Sequence, residues 1–297
     1  MTTVFAASAS ETAAGIWTET RFLGSRAWQS RQGSQLAIVS EARCRLLYLG
    51  AADGSLNLLS APAEPPAADS SNPSPNWGGH RFWLGPQQRW VWPPLAEWEA
   101  SPAASASTSA AGAVLTLTHP RTDSLYPALT RDYAWEGTRL RCTVRWKDDG
   151  RAYYGMHVVA VEAPAEISAQ LHRCQATPEG AVAVRMDGFD TQGVLSHPAA
   201  TTTGDTLILR SGADRPAKVG LSPQPLRCAR ASGWSLVMSP GPTTGVPIGS
   251  SDQGFLSQVW VGLPRVPFAE LEQLSPFLLG DKSGHCSSTC YLEAIAP

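Results

Sequence analysis

In Thr138–Trp146, TRLRCTVRW, the apolar residues Leu140, Cys142, Val144 and Trp146 alternate with Arg139, Arg141, Thr143 and Arg145. Successive side chains of a strand point to opposite faces, so this period of two predicts a strand with one buried and one solvated face. Just upstream, Tyr133 and Trp135 alternate within Arg131–Trp135, and the short Glu136-Gly137 connection reads as a hairpin turn. Similar alternation recurs in Ala113–His119, Ala181–Met186, Thr206–Arg210 and Gly233–Met238. Continuous apolar runs at Gln35–Ser40, Met156–Val161 and Gln258–Val261 read as strands buried on both faces. Gly and Pro clusters separate these segments, and the pattern as a whole predicts an all-β chain. One segment disagrees. Pro267–Leu274, PFAELEQL, places Phe268, Leu271 and Leu274 at helical spacing among good helix formers.

The composition fits strands and loops. Of 297 residues, 43% are hydrophobic and only 16% are charged, below the usual quarter or so. Twenty-three basic and 25 acidic residues leave a net charge of -2, so nothing marks a nucleic-acid or anionic-membrane partner. No apolar stretch approaches the ~18 residues of a membrane-spanning helix. Met1–Thr20 lacks a basic n-region and a continuous apolar run, so no signal peptide is expected. The six cysteines are scattered, and Cys142 reads as a buried thiol. Cys286 and Cys290 are the one close pair, open to a bridge or a metal, but no second pair completes a zinc pattern. A reduced, cytoplasmic protein with no metal or cofactor is expected. One domain over residues 1–297 is expected too, with a poorly defined N-terminal segment at 1–30. Ser60–Pro75 and Ala100–Gly112 lack large apolar residues and read as long solvated loops.

Between those loops lies Asn76–Pro94, NWGGHRFWLGPQQRWVWPP, with four of the eleven tryptophans: Trp77, Trp83, Trp90 and Trp92. Flat indole faces suit a ring-shaped, hydroxyl-rich ligand, and Gly78-Gly79 permits a tight turn or a close approach. His80 and Arg81 would then set an acid–base group and a fixed cation beside the aromatic surface. Tryptophans are equally ordinary core residues, and that reading stands beside the first.

No P-loop, Gly-x-Gly-x-x-Gly, His-Glu-x-x-His or Gly-x-Ser-x-Gly motif is present. Acid–base candidates remain. His157 lies in the apolar run Met156–Val161, and Glu272 sits between apolar neighbours in Leu271-Glu272-Gln273-Leu274. A partly desolvated histidine and carboxylate suit paired proton transfer near neutral pH. A core histidine and a solvated edge carboxylate are the competing readings, and the latter also applies to Glu270.

The order of motifs carries more than any one of them. A Leu-x-Ile-Val strand leads to Gly54-Ser-Leu-Asn57-Leu-Leu59, then Trp77-Gly-Gly-His-Arg-Phe-Trp83 and the strand pair near Arg131–Trp146. Lys218-Val-Gly220 and Ala269-Glu-Leu-Glu-Gln-Leu-Ser-Pro276 follow. From Gln35 to about Tyr291 this series resembles the galactose-mutarotase-like superfamily. It looks closest to a bacterial branch with Gly-Gly-His-Arg-x-Trp and Glu-Leu-Glu-x-Leu-Ser-Pro motifs. The resemblance implies a β-supersandwich of large antiparallel sheets, with Pro267–Leu274 as a strand and a carbohydrate site on a concave face. It implies cofactor-free interconversion of sugar anomers by a glutamate base and a histidine acid. Carried over, Glu272 is the base, His157 the acid, and His80 a third catalytic candidate. Trp77, Arg81, Trp83, Lys218 and Glu270 would bind substrate. The chain departs from the family at Tyr154-Gly-Met-His157-Val-Val, where mutarotases carry Asn-His-x-Tyr-Phe-Asn. Two other classes stay open: a non-catalytic carbohydrate-binding module, and a lyase or other acid–base enzyme for a ring-containing metabolite.

Overall fold

A computed structural model describes residues 15–64, 77–90, 93–99, 101–120, 125–171, 182–183, 197–251, 254–264, 266 and 268–297. Among the described residues the structure is nearly all β, 56% strand against 4% helix, and every strand pairing there is antiparallel. The alternating stretch forms the strand Arg139–Lys147, which pairs with Leu129–Glu136 through the two-residue turn at Gly137. Leu140, Cys142, Val144 and Trp146 are all buried, as the period of two requires.

These two strands belong to a ten-stranded sheet that also holds the long C-terminal strand His285–Ile295. A six-stranded sheet packs against it, in the order Val182–Ala183, Ala217–Leu221, Ser257–Val261, Phe268–Leu274, Tyr154–Glu162 and His80–Gly85. Val159, Val161, Leu271, Val259 and Val219 of the six-stranded sheet join Leu140, Cys142, Leu236, Cys290 and Leu292 of the larger one in a single apolar core. A four-stranded sheet spanning Thr18 to Ala51 and a two-stranded ribbon, Val246–Gly249 with Phe277–Leu279, complete the described strands.

One local conflict resolves as the resemblance implies, and two expectations change. The segment with helical spacing is the strand Phe268–Leu274, paired on one side with Tyr154–Glu162 and on the other with Ser257–Val261. Ladders on both edges outweigh a local helix preference worth a few tenths of a kcal/mol per residue. Within the expected N-terminal undefined stretch, Thr18–Phe22 and Ser25–Gln32 form a paired hairpin. Within the expected loop at 100–112, Ser105–Thr108 pairs with Val114–Thr118 at the edge of the large sheet. An edge strand needs backbone partners more than apolar side chains, so its Ser-Ala-Ser-Thr sequence hid it. Residues 65–75 of the other loop, and all but Val182–Ala183 of the expected strand Ala181–Met186, lie outside the described residues. Cys286 and Cys290 are free and buried on one strand. Four residues of strand span about 13 Å, too far for a bridge.

Gly78-Gly79 is a close approach as well as a turn. Both residues have positive φ, +65° and +68°. A Cβ on Gly78 would collide with the Ser60 carbonyl, and one on Gly79 with the Leu46 carbonyl. The Gly79 amide donates to Ser60 at 2.7 Å and its carbonyl accepts from Ala160 at 3.1 Å, which fixes where the strand His80–Gly85 begins. Gly150 also has positive φ, +81°, but faces open space. Gly150→Ala should therefore cost only conformational strain, about 1 kcal/mol, whereas Gly78→Ala and Gly79→Ala each add a backbone collision and cost well beyond that. Urea unfolding of the three variants checks the order, and equal losses would refute the close approach.

Candidate functional site

On the strand Phe268–Leu274, Glu270 and Glu272 are two residues apart and so share a face, opposite to the core residues Ala269 and Leu271. Two cations reach them from either side. Lys218 lies on Ala217–Leu221, two strands away, and its Nζ is 2.9 Å from Glu272 Oε2. Arg81 lies on His80–Gly85, two strands away in the other direction, and its Nη2 pairs with Glu270 Oε1. Two strand spacings are about 9–10 Å, a gap that a long cation and a glutamate close together. The residues beneath the Arg81 bridge are Val158 and Ala160, too short to obstruct it. Trp260, directly opposite both Lys218 and Glu270 in register, lies on the same face and is half-buried.

The pairs are nearly dry. Glu272 is 1% exposed and Arg81 2%, while the side chains of Lys218 and Glu270 keep 8% and 14%. Burial pulls on the Arg81 guanidinium, but the Glu270 and Glu99 carboxylates hold it above its ordinary value. Glu99 carries the charged layer onward. One of its oxygens accepts from Trp83 Nε1 and the other lies 3.2 Å from Arg45, a fully buried arginine of the four-stranded sheet. Arg45 also donates to the carbonyls of Gly78 and Trp98, at 3.3 and 3.0 Å. Burial lowers the Arg45 pKa, and Glu99 opposes that shift.

His80 and His157 are elsewhere. His157 pairs in register with Gln273, whereas Glu272 pairs with Val158, so His157 and Glu272 point to opposite faces of the sheet. His80 shares the face of Phe82, and Arg81 that of Trp83. Both histidines therefore lie in the layer between the large sheets, wholly buried, with His80 Nε2 3.0 Å from His157 Nδ1 and ring planes within 5°. His157 Nε2 is 3.1 Å from Ser288 Oγ of the ten-stranded sheet. The expected Glu272–His157 acid–base couple is not assembled. Burial pushes the His157 pKa down to about 3, and burial with the neighbouring His157 and Arg131 holds His80 well below the usual imidazole range.

The tryptophans mostly pack. Trp83, Trp90 and Trp98 form a row of edge contacts at 5.9 Å that continues through Tyr126 to Tyr153. Trp90 donates to the Leu84 carbonyl at 2.7 Å. Trp77 is half-buried, but Arg43 covers one face of its ring. Trp92 lies outside the described residues. Of the expected site residues, Glu272, Glu270, Lys218, Arg81 and Trp83 are brought together; Trp77, His80 and His157 are not part of that group. Trp260, Glu99 and Arg45 went unread. Only Trp260 left a signal, its two-residue spacing from Gln258 within the run Gln258–Val261.

No protein-family model and no curated protein matches the sequence. Solved structures do. A galactose mutarotase-like protein from Lactobacillus casei aligns over 91% of this chain and 100% of its own, at 10% identity and a TM-score of 0.53. A galactose mutarotase related enzyme from Lactobacillus acidophilus aligns over 91% of this chain and 97% of its own, at 8% identity and a TM-score of 0.55. The chain has the galactose-mutarotase-like fold. Among the described residues no helix is long and apolar enough to cross a membrane. Within this galactose-mutarotase-like fold, the charged face belongs to the six-stranded sheet and the histidines to its seam with the ten-stranded one.

A third histidine shares that seam. His119 Nδ1 can only donate to the Glu97 carbonyl at 3.0 Å, so its Nε2 accepts from Arg131 Nε at 2.7 Å and the ring is neutral. Burial and Arg131 hold its pKa well below the ordinary value. Below about pH 6.5 the unfolded chain protonates these histidines while the folded chain does not, so stability falls as pH drops. Each such group removes about 1.4 kcal/mol per pH unit in that range. Urea unfolding between pH 7.5 and 5 should show this loss, and His119→Gln, which keeps an acceptor for Arg131, should reduce the slope by one proton. A stability independent of pH over that range would contradict the neutral seam.

Proposed function

We propose that the protein binds a sugar or sugar-like ring against the charged face of the six-stranded sheet. There it interconverts anomers without a cofactor, with Glu272 as base and Lys218 as the acid partner. The observation that carries this reading is the Glu272–Lys218 contact of 2.9 Å, flanked on the same face by Arg81–Glu270. An ion pair is the state of charge that the reaction needs, a base already deprotonated and an acid already protonated. The anomeric hydroxyl and the ring oxygen share one carbon, so two groups this close can address both.

Glu272 accepts the anomeric hydroxyl proton while the Lys218 ammonium protonates the ring oxygen. The C–O bond opens, the aldehyde rotates, and reversal of the two transfers closes the ring on either face. The near absence of water strengthens both interactions. Trp260 offers a half-buried aromatic surface for the ring, and Arg81 and Glu270 supply donors and acceptors for its hydroxyls. The likeness of the backbone to galactose mutarotase-like proteins supports a carbohydrate ligand.

A second reading, a binding module without catalysis, has its own support: His157, the expected acid, and His80, the third catalytic candidate, both lie on the other side of the sheet. Exchange NMR of glucose, galactose and their uronic acids separates the two. The enzyme should accelerate anomer exchange of at least one sugar, and Glu272→Gln should reduce the acceleration by about 10²-fold or more while circular dichroism and sugar binding persist. His157→Asn should leave the rate near wild type. Saturable binding with no acceleration selects the module, and neither binding nor acceleration with any of the sugars refutes both.

A further inference from the structure

We propose that His80, His157 and Cys290 form a metal site in the seam between the large sheets, one whose donors and charge fit copper(I). The donor atoms His80 Nε2, His157 Nδ1 and Cys290 Sγ all lie within 4.8 Å of one another. The two nitrogens are 3.0 Å apart, and the sulfur is 3.7 Å from His80 Nε2. Bonds of about 2.0–2.3 Å to a common ion place such donors roughly 3.3–3.8 Å apart. The present spacing therefore needs only small side-chain movements to surround an ion.

The frame is rigid. His80 and His157 come from neighbouring strands of the six-stranded sheet and Cys290 from the facing sheet. The contact of His157 Nε2 with Ser288 places a hydrogen bond behind the ring and leaves Nδ1 to offer its lone pair, the usual outer support of a ligating histidine. No motif betrayed the site because its donors lie 77 and 210 positions apart from His80 along the chain.

Charge selects the ion. All three donors are fully buried, and the Arg131 guanidinium is already close by, donating to the His80 carbonyl at 2.9 Å. Binding replaces the Cys290 thiol proton by the metal and releases that proton. With a monovalent ion the charge of the seam is unchanged. With zinc on these same three donors it rises by one unit in a dry interior, at high cost. A thiolate with two imidazoles also meets the three-coordinate preference of a soft monovalent ion, whereas structural zinc takes four ligands. The fourth donor that zinc would require is Cys142, directly opposite Cys290 in register.

The full-length chain is unfolded and refolded without oxygen in one equivalent of copper(I) or of zinc(II), then desalted. We expect one copper per chain to remain. Its X-ray absorption spectrum should show two nitrogen ligands and one sulfur, and the urea midpoint should rise. Cys290→Ser and His157→Asn should each lower retained copper at least tenfold, while Cys142→Ser should not. No retained copper, or a spectrum of sulfur ligands alone, overturns the site. Zinc retained in preference and lost on Cys142→Ser overturns the copper assignment. The wild-type spectrum decides the matter even where a variant does not fold.

Discussion

A carboxylate removed from water must meet a cation, and the structure around the six-stranded sheet is organised by that requirement. Glu270, Glu272 and Glu99 face Arg81, Lys218 and Arg45, three of each sign. The partners never come from one element. Each bridge joins segments 54 to 189 residues apart and either spans two strand spacings of one sheet or ties a sheet to the short helix Ala96–Glu99. Arg45 ties the four-stranded sheet to the short helix Ala96–Glu99, and Trp83 joins the same carboxylate from the edge of the six-stranded sheet. Loss of any one member would leave its partner charged and dry, a larger penalty than the net worth of the pair. The ligand face and the stability of its surroundings are thus the same set of contacts.

The sheet keeps two chemistries apart. Its outer side carries fixed, compensated charge. Its inner side carries neutral imidazoles that face the thiols of the ten-stranded sheet across an apolar seam. Only one layer of backbone lies between them, and the strands His80–Gly85 and Tyr154–Glu162 contribute to both.

Much of this was legible in the sequence. Alternation in Arg139–Lys147 and its hairpin partner named both the strands and their buried faces, because side-chain direction in a strand is a local property. The two-residue spacing of Glu270 and Glu272 likewise announced a shared face once the segment was a strand. What alternation does not carry is register. Whether His157 lies beside Glu272 or across the sheet from it depends on which residue of Tyr154–Glu162 meets which residue of Phe268–Leu274, and the ladder sets Val158 against Glu272. The tryptophans posed the same difficulty in another form. Trp83 and Trp90 read as a platform or as a core, and only their contacts with each other, with Trp98 and with Glu99 decide for the core. Arg45 and Glu99 gave no sign at all, since a buried ion pair is a property of two distant segments and of neither alone.

The strand Phe268–Leu274 has a consequence for how this protein can vary in evolution. Its charged residues, Glu270 and Glu272, take even positions, and Ala269 and Leu271, wholly enclosed in the core, take odd ones. A substitution alters one side chain on one side. Insertion or deletion of one residue would turn every following side chain over, placing carboxylates in the apolar seam and leucine among the cations. Descendants of this sequence can therefore exchange residues here far more freely than they can change the strand's length by one, and length variation belongs in the connections outside the ladder.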